Sequence, residues 1–255
     1  MTAISLAPGI HLVASGPLGI SHPLDCHAYL IETRSGHLLV DAGVGQDSER
    51  IVDNIRSLSL DPGDVRLLLL THAHADHAGG AAALVAATGA EVVGDARELR
   101  LLAEGTDEEL GLFAAKRKGT YPDDYVYPHH GGGRPLDEGW RFEAPDALVT
   151  SLATPGHSRG STSYLLERDG YRALFSGDAV FLGGFVSVLN VEGSDPADYR
   201  RCLPALGGLA VDGLYPGHYL FAVGDGQKHV DLALRRLQSS VLPNVALSWL
   251  PYPQL

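Results

Sequence analysis

Short apolar runs alternate along the chain with segments whose apolar residues recur every three or four positions, which indicates a mixed α/β architecture. The apolar runs predict strands, and the recurring positions predict amphipathic helices. The predicted strands cover residues 10–14, 27–32, 37–40, 65–70, 91–94, 147–152, 163–167, 172–175 and 213–215. No low-complexity segment or short repeat interrupts this alternation.

Three segments are predicted to be amphipathic helices. The first begins at Asp47 or Ser48, either of which is expected to cap it, and it ends before the turn at residues 61–63. Its apolar face consists of Ile51, Val52, Ile55 and Leu58. The second helix covers residues 81–88, and Gly89 closes it.

The third predicted helix follows Asp225, which we expect to be its N-cap. Its apolar face consists of Val230, Ala233, Leu234, Leu237 and Val241. In the middle of the chain, residues 119–139 are rich in Gly, Pro, Tyr and His, which predicts a long surface loop. Loops of this kind often cover active sites, and we expect this one to mark the seam between two structural halves.

The composition is that of a soluble globular enzyme. The 255 residues are 45% hydrophobic and 20% charged, which suits one domain, residues 1–255, built from two intimately packed halves. Lys and Arg number 19 against 31 Asp and Glu, for a net charge of −12. Such a surface repels phosphate backbones and anionic lipid, so we expect a small-molecule substrate and no nucleic-acid or membrane partner.

The cysteines and the apolar runs indicate the cellular compartment in which the protein is expected. Cys26 and Cys202 are far apart in the sequence and form no C-x-x-C pair, so no disulfide framework is expected. The first residues lack a basic region followed by a long apolar stretch, and no apolar run approaches the ~20 residues of a membrane span. The sequence therefore predicts a cytoplasmic protein.

The strongest chemical signal is the motif T-H-A-H-A-D-H-A-G-G at residues 71–80, directly after a predicted strand. Its chemistry-bearing side chains are those of His72, His74, Asp76 and His77. Three imidazoles and a carboxylate within six positions converge on one place if the chain turns sharply there. Neutral imidazole and carboxylate suit a divalent ion such as zinc. The alternative is a solvated histidine-rich turn.

Three more residues extend this motif into a constellation. His157, Asp178 and His218 each follow a predicted strand, and each is preceded by glycine. Loops at strand ends can assemble a site from distant segments, and glycine permits tight turns and close approach there. Each residue alone is compatible with local hydrogen bonding in a turn. Together with the upstream motif, they predict a metal site.

On these motifs the sequence resembles the metallo-β-lactamase superfamily, and its layout is most similar to the glyoxalase II-like hydrolases. The similarity runs from residues 39–43, L-V-D-A-G, to the P-G-H motif at residues 216–218. It implies an αββα four-layer sandwich with two similar halves and two metal ions at one edge between the sheets. It also implies that the first ion is held by His72, His74 and His157, the second by Asp76, His77 and His218, with Asp178 bridging both.

The chemistry of the residues agrees with two ions, because seven ligands exceed what one four- or five-coordinate zinc needs. A pair ~3.5–4 Å apart shares a bridging hydroxide, whose pKa falls toward ~7 and which attacks a carbonyl carbon. Asp76 is the expected catalytic residue, orienting the nucleophile or accepting its proton. We expect two Zn²⁺ per chain, with iron or manganese as alternatives. A structural zinc site usually contains cysteines, and neither cysteine lies near these motifs.

Several further residues flank the motifs. Asp41 is expected to orient a ligand side chain instead of binding metal, with a plain turn aspartate as the alternative. Tyr164, Phe181 and Tyr219 either line the pocket or pack in the core. In lactone-cleaving relatives a tyrosine follows the bridging aspartate, whereas this chain has Phe181, which disfavours close kinship with them.

Other polar residues are expected to be structural. We expect His129 and His130 to be exposed loop histidines or substrate contacts. We expect His22 and His27 to be structural or pocket-lining residues. The basic run at residues 116–118 is read as a solvated helix end, or as a site for glutathione carboxylates. No glutathione-binding pattern is recognisable, so glutathione is not predicted.

The leading functional hypothesis is therefore hydrolysis of a small ester, thioester or lactone. One alternative is a persulfide dioxygenase-like oxidoreductase with one iron, held in such relatives by two histidines and an aspartate. Another is a β-lactamase, which the missing export signal disfavours. A nuclease is disfavoured by the acidic charge. A homodimer is expected from the habit of the family alone.

Overall fold

The computed structural model describes residues 2–239 and contains two β-sheets. The strands of the first sheet follow chain order: β1 (Ile4–Ala7), β2 (Ile10–Ala14), β3 (Ala28–Ile31), β4 (His37–Val40), β5 (Val65–Leu69), β6 (Glu91–Gly94) and β7 (Arg134–Pro135). β1 to β4 pair antiparallel, and β4 to β7 pair parallel. The sheet therefore changes from antiparallel to parallel at β4.

The second sheet begins after the chain leaves β7. Its strands are β8 (Arg141–Ala144), β9 (Ala147–Ala153), β10 (Thr162–Arg168), β11 (Tyr171–Gly177) and β12 (Gly213–Pro216). β8 to β11 form an antiparallel meander, in which Tyr164 of β10 lies opposite Phe175 of β11. β12 then pairs parallel to β11. As a result, the ends of β11 and β12 lie side by side.

Helices connect the strands of both sheets. They are α1 (Ser48–Ser57), α2 (Ala75–Ala78), α3 (Ala81–Thr88), α4 (Ala96–Glu104), α5 (Leu112–Arg117), α6 (Pro196–Cys202) and α7 (Gly226–Gln238), with 3-10 turns at Pro62–Asp64 and Leu203–Leu206. None of the helices within residues 2–239 has the length and apolar character that a membrane crossing requires.

Three apolar clusters hold four layers together, and strand periodicity explains them. Successive side chains of a strand point to opposite faces, so in β3 Tyr29 packs between the sheets while Leu30 packs against the outer helices. The inner cluster contains residues of both sheets, among them Ile10, Leu12, Leu67, Val149, Leu166 and Phe175. The outer clusters join the first sheet to α1, α3, α4 and α5, and the second sheet to α6 and α7.

The predicted αββα sandwich is confirmed. That two similar halves make one domain stays a prediction.

The predicted strands and helices are found, and the two predicted N-cap aspartates stand where expected, although neither side chain caps its helix. Asp47 and Asp225 stand at the N-cap positions of α1 and α7 with φ of 64° and 56°, and neither side chain makes a capping hydrogen bond. Aspartate tolerates this left-handed backbone, so its contribution here is conformational. Gly89 closes α3 at φ 76°, as predicted. Val241, the last residue of the predicted apolar face of α7, lies outside the described residues.

The sequence patterns missed β1, β7, β8 and the helices α2, α4 and α6, and they indicated only the end of α5. β7 is two residues long and exposed, and β8 alternates exposed and half-buried side chains, so neither has an apolar run. Residues 119–133 form a loop, as predicted, but its tyrosines do not lie at the surface. There Tyr121, Tyr125 and Tyr127 are buried against the helices of the first sheet.

Candidate metal centre

The chain brings all seven predicted site residues together at one edge of the two sheets. The motif at residues 71–80 follows β5, while His157, Asp178 and His218 follow β9, β11 and β12. Gly217 shows why glycine precedes a site residue. A Cβ there would lie 2.7 Å from Asp178 Oδ1 and would clash with the ring of His77. The end of β12 therefore approaches the site closely only without a side chain.

His72, His74 and His157 form one group, called here the tri-histidine group. Their ring centroids are 4.6 to 4.7 Å apart, and His157 Nε2 lies 2.9 Å from His74 Nδ1. One ligand nitrogen of each residue lies within 4.8 Å of the others. Two nitrogens on a tetrahedral zinc ion with Zn–N of about 2.0–2.1 Å are ~3.3 Å apart. The three rings are thus spaced for a single ion.

Hydrogen bonds on the far sides of the rings fix the tautomers of two of these histidines. His157 Nδ1 donates to the carbonyl of Ser187 at 2.9 Å. Thr71 Oγ1 donates to Asp41 Oδ2 and therefore accepts from His72 Nδ1, at 3.0 Å. Each ring is left with an unprotonated Nε2 that faces the group. Such outward hydrogen bonds orient metal-binding imidazoles and raise their basicity as ligands.

Burial keeps the tri-histidine group neutral. It lowers the pKa of His74 to about 3, and it also lowers the pKa values of His72 and His157. Removing an imidazolium from water is unfavourable, and the neighbouring rings add to that penalty. The rings are therefore in the form that binds a metal ion at neutral pH.

Asp76, His77 and His218 form the second group, called here the mixed group. His218 Nε2 lies 3.0 Å from Asp76 Oδ2 and 3.1 Å from His77 Nε2. His77 Nδ1 donates to Asp41 Oδ2 at 2.8 Å. Asp41 also accepts from the backbone and side chain of Thr71. The expected contact between Asp41 and a predicted ligand side chain is thus found, and it directs His77 Nε2 inward.

Asp178 lies between the two groups. Its Oδ1 is 3.4 Å from His77 Nε2, and its Oδ2 is 3.5 Å from His157 Nε2 and 3.6 Å from His218 Nε2. One carboxylate thus faces nitrogens of both groups. That is the position a bridging ligand needs.

The mixed group is charged where the tri-histidine group is neutral. Burial opposes ionisation of Asp76 and Asp178, yet the neighbouring His77 and His218 outweigh it and hold both pKa values well below the usual range. Burial likewise opposes protonation of His77 and His218, but the carboxylates of Asp76 and Asp178 raise both pKa values, and Asp41 adds to the rise for His77. Without a metal ion, protons on these two imidazoles balance the buried carboxylates.

The residues present fit a pair of divalent ions. Neutral imidazoles and carboxylates are the donors that zinc prefers. Two buried atoms of the site, His72 Nε2 and Asp178 Oδ1, have no hydrogen-bond partner among the described residues. Buried polar atoms without partners are costly and rare. A cation beside each of them would satisfy both.

Cys26 corrects the expectation that neither cysteine lies near the motifs. Its buried Sγ belongs to a cluster with Asp41 and His77 whose ligand atoms lie within 4.8 Å of one another. The backbone N–H of Cys26 donates to the carbonyl of Asp76. Burial raises the pKa of the thiol to about 12, so Cys26 is a neutral thiol at neutral pH. The fold places it there through the loop between β2 and β3, which sequence separation does not reveal.

Tyrosines of residues 119–133 also contact the site, which the sequence patterns did not predict. Tyr121 donates to Asp76 Oδ1 at 3.1 Å, and Tyr127 donates to the carbonyl of Ala73 at 3.0 Å. Glu98 of α4, a buried carboxylate, is a third missed residue. The close spacing of the tyrosines was visible in the sequence. Glu98 gave no signal, because a single acid in an amphipathic helix usually faces solvent.

The flanking aromatic residues divide between core and site. Tyr164 is buried in the inner cluster and donates to the carbonyl of Leu70, so the core alternative is correct for it. Phe181 is also buried, and its ring meets that of Tyr219 at 5.3 Å. His27 Nε2 donates to the carbonyl of Tyr219, and burial lowers the pKa of His27 to about 4. His27 is thus a neutral structural residue beside the site.

The basic run and the loop histidines lie farther out. α5 ends at Arg117, which confirms the prediction of a helix end. Lys116 pairs with Asp107 at 2.7 Å, and the Arg117 guanidinium lies over the ring of Phe113. His129 Nδ1 donates to the carbonyl of Leu102. These contacts are structural, and none involves the seven site residues.

A narrow cleft opens beside His74 and Asp76. Its apolar walls include Leu110, Leu112, Ala115, Tyr121, Leu189 and Val191. Lys118 and Asn190, both exposed, also line it. A cleft with apolar walls and a polar base suits a substrate whose reactive bond sits beside an apolar group.

Comparison with known proteins agrees with this geometry. The family model described as the metallo-beta-lactamase superfamily matches residues 22–218. The chain is 30% identical over 236 residues to a hydroxyacylglutathione hydrolase of Methylobacillus flagellatus, covering 89% of this chain and 78% of that protein. It is 30% identical over 208 residues to acyl-coenzyme A thioesterase MBLAC2 of Gallus gallus, covering 75% of this chain and 71% of that protein.

A solved structure gives the same fold. BJP-1, a subclass B3 metallo-beta-lactamase of Bradyrhizobium japonicum, has a TM-score of 0.69 and 26% identity, covering 92% of this chain and 90% of that chain. Some relatives are longer. The chain spans 57% of the length of a lactamase-like protein of Penicillium aethiopicum.

Proposed function

This chain belongs to the metallo-beta-lactamase superfamily, and from that premise we propose that it is a hydrolase that cleaves a small ester, thioester or lactone with two zinc ions. The tri-histidine group would hold one ion, the mixed group would hold the other, and Asp178 would contact both. The observation that carries this proposal is the set of inward-facing nitrogens around Asp178, with His72 Nε2 and Asp178 Oδ1 lacking a hydrogen-bond partner among the described residues.

When bound, the ions would supply Lewis-acid activation of the scissile carbonyl and of the attacking water. The residues of the chain have separate tasks. Asp76 would orient the attacking water, accept its proton and pass it to the leaving group. Its Oδ1 is held by Tyr121, which leaves Oδ2 facing His218. Asp41 and Ser187 keep the tautomers of His77 and His157 fixed during the cycle.

Thioesters are the substrates that the observations favour. One relative is named an acyl-coenzyme A thioesterase and another a hydroxyacylglutathione hydrolase. The apolar cleft beside His74 and Asp76 would take the acyl group of such a substrate. Phe181 provides no hydroxyl near the site, which disfavours lactones.

The test is a substrate screen on protein of known metal content. Esters, acyl thioesters, lactones and a cephalosporin are assayed with the zinc-loaded protein, with the protein stripped by a chelator, and after zinc is restored. We expect thioester hydrolysis that is lost on stripping and regained with two equivalents of zinc. Activity that survives complete metal removal would contradict the proposal.

Two alternatives have distinct outcomes in the same experiment. A protein that purifies with one iron and consumes oxygen with a persulfide substrate would instead be a dioxygenase. A protein that hydrolyses only the cephalosporin would be a β-lactamase. Either result would replace the thioesterase assignment.

A further inference from the structure

The backbone of Ala73, which separates His72 from His74, is held on both sides of the residue. Its N–H donates to Glu98 Oε2 at 2.8 Å, and its carbonyl accepts from the Tyr127 hydroxyl at 3.0 Å. Both partners are buried, with Glu98 1% exposed and Tyr127 3% exposed. No helix or strand hydrogen bond fixes this backbone, because β5 ends at Leu69 and α2 begins at Ala75.

The second oxygen of Glu98 reaches the other histidine segment. Glu98 Oε1 accepts from Ser158 Oγ at 2.8 Å and from the Gly160 backbone N–H at 2.8 Å. Ser158 directly follows His157. One carboxylate thus joins the two segments that carry the tri-histidine group.

Glu98 is buried, whereas glutamate side chains usually face solvent. Burying a carboxylate is unfavourable unless hydrogen bonds compensate for the lost water. Burial raises the pKa of Glu98, and the hydrogen bonds from Ser158, Ala73 and Gly160 oppose that rise. An apolar residue on α4 would fill the same space without this penalty. The carboxylate therefore contributes something other than packing.

We propose that Glu98 and Tyr127 are positioning residues that hold His72, His74 and His157 in the geometry of a single metal ion. The inference rests on the proposed function, because it assumes an ion at the tri-histidine group. The physical reason is that the directions of the His72 and His74 side chains depend on the orientations of the two peptide groups that flank Ala73. A peptide free to rotate would spread the rings over several arrangements, and ordering them would then oppose metal binding.

The chain provides a matched control for Tyr127. Tyr125 lies two residues earlier, is also 3% exposed, and also donates its hydroxyl to a backbone carbonyl, that of Val44 at 2.8 Å. Val44 lies outside both histidine segments. Tyr125→Phe and Tyr127→Phe therefore remove equivalent hydrogen bonds from equally buried rings. Only Tyr127→Phe removes a hydrogen bond to the backbone between His72 and His74.

The experiment measures the affinity of the metal-free protein for its first equivalent of zinc, by competition with a chromophoric chelator. The visible spectrum of bound Co²⁺ and the melting temperature of the metal-free form are recorded for the same samples. The variants are Glu98→Gln and Tyr127→Phe, with Tyr125→Phe and Glu109→Gln as controls. Glu109 is a solvent-facing glutamate that pairs with Arg100.

We expect Glu98→Gln and Tyr127→Phe to weaken the first zinc by about ten- to hundredfold and to change the Co²⁺ spectrum. Glu98→Gln keeps the shape of the side chain, but its amide nitrogen has to face a donor. Tyr125→Phe and Glu109→Gln should bind zinc as the wild type does. The two Tyr→Phe variants should show a similar fall in melting temperature without metal.

The outcomes separate this inference from the proposed function. A wild-type protein that binds no metal would overturn both. A wild-type protein that binds zinc, with Tyr127→Phe and Tyr125→Phe equal in affinity, would overturn the positioning role alone. If Glu98→Gln fails to fold, the comparison of the two tyrosine variants still decides the question.

Discussion

The tri-histidine group and the mixed group lie on either side of Asp178, yet the fold prepares them differently. The rings of His72, His74 and His157 pack against one another, and burial, the largest cause, keeps them neutral. His77 is buried and His218 partly exposed, and both lie among carboxylates, which raise their pKa values. Burial therefore opposes protonation on both sides, and only at the mixed group do neighbouring carboxylates outweigh it.

This difference predicts that the two ions bind with a different dependence on pH. At the tri-histidine group a metal ion meets imidazoles that are already neutral. At the mixed group it replaces protons that balance Asp76 and Asp178, so binding and deprotonation occur together. The second ion is then the one whose presence depends on conditions. The predictions that follow test this asymmetry, beginning with the residue that both sides share.

Asp178→Ala is expected to have the largest effect, because its carboxylate faces both groups. Its loss removes the shared ligand and leaves His77 and His218 with one fewer compensating charge. We expect kcat/KM to fall by at least about a thousandfold, which is ~4 kcal/mol of transition-state stabilisation. The measurement is kcat/KM together with zinc content on the thioester identified by the screen.

A control aspartate separates this effect from general damage. Asp231 on α7 accepts a hydrogen bond from Gln227, and Asp231→Ala should keep both ions and full activity. An Asp178→Ala protein with two zinc ions and wild-type kcat/KM would show that the two groups are independent and that nothing bridges them.

Asp41→Asn is expected to disturb the mixed group selectively. Asp41 Oδ2 accepts from His77 Nδ1, and an amide cannot accept all the hydrogen bonds that the carboxylate does. We expect the affinity for the second zinc to fall about ten- to hundredfold, with a smaller effect on the first. Equilibrium dialysis against buffered zinc measures both affinities.

Asp25→Asn is the control, since Asp25 is also a buried aspartate but accepts from the backbone N–H groups of His22 and Val44. Equal losses in both variants would argue against an orienting role.

The sequence predicted the parts of the fold that carry a periodic signal. β3, β4 and β5 are buried on both faces and appear as apolar runs, so their positions were clear. Edge strands such as β1 and β8 lack that signal, because exposed positions interrupt them. The failed caps at Asp47 and Asp225 have another cause. An aspartate before a helix indicates where the helix begins, but its side chain caps only if φ permits.

The residues of the site likewise fall into those that the sequence revealed and those that it did not. The seven predicted residues were visible because each stands in a glycine- or histidine-rich motif at the end of a strand. Cys26, Glu98 and Tyr127 were not, because each reaches the site from a distant segment and is recognised only by what it contacts. Short motifs reveal the residues that touch a reacting group. The residues that hold them depend on tertiary structure, which one sequence does not specify locally.

The pH dependence of zinc binding should distinguish the two groups directly. Because the pKa values of His77 and His218 are raised, the second ion displaces protons, and its affinity should rise about tenfold per pH unit for each proton released. The pKa of His74 is lowered to about 3, and those of His72 and His157 are lowered too, so the first ion should bind without proton release near neutral pH. Acidification should therefore remove the second ion first.

Stepwise dialysis to lower pH, with metal analysis at each step, measures this order. Calorimetry in buffers of different ionisation enthalpy counts the protons released by each ion. His218→Ala is the reference, since it should bind one ion with little pH dependence. Loss of both ions in a single step in the wild type would mean that the two groups titrate as one unit.

Cys26→Ala is expected to have the smallest effect, and it tests whether the mixed group extends beyond its three residues. Cys26 Sγ lies close enough to Asp41 and His77 to complete a metal site with them. However, burial raises the pKa of this thiol to about 12, and a neutral thiol is a poor ligand. Asp41 Oδ2 is also occupied by hydrogen bonds from His77 and Thr71. We therefore expect Cys26→Ala to keep two zinc ions and a kcat/KM within about threefold of wild type, under ~1 kcal/mol in activation free energy. Cys26→Ser, measured beside it, retains a hydroxyl of similar size. Loss of the second ion in both variants would make Cys26 a ligand and would place the second ion nearer Asp41 than the mixed group allows.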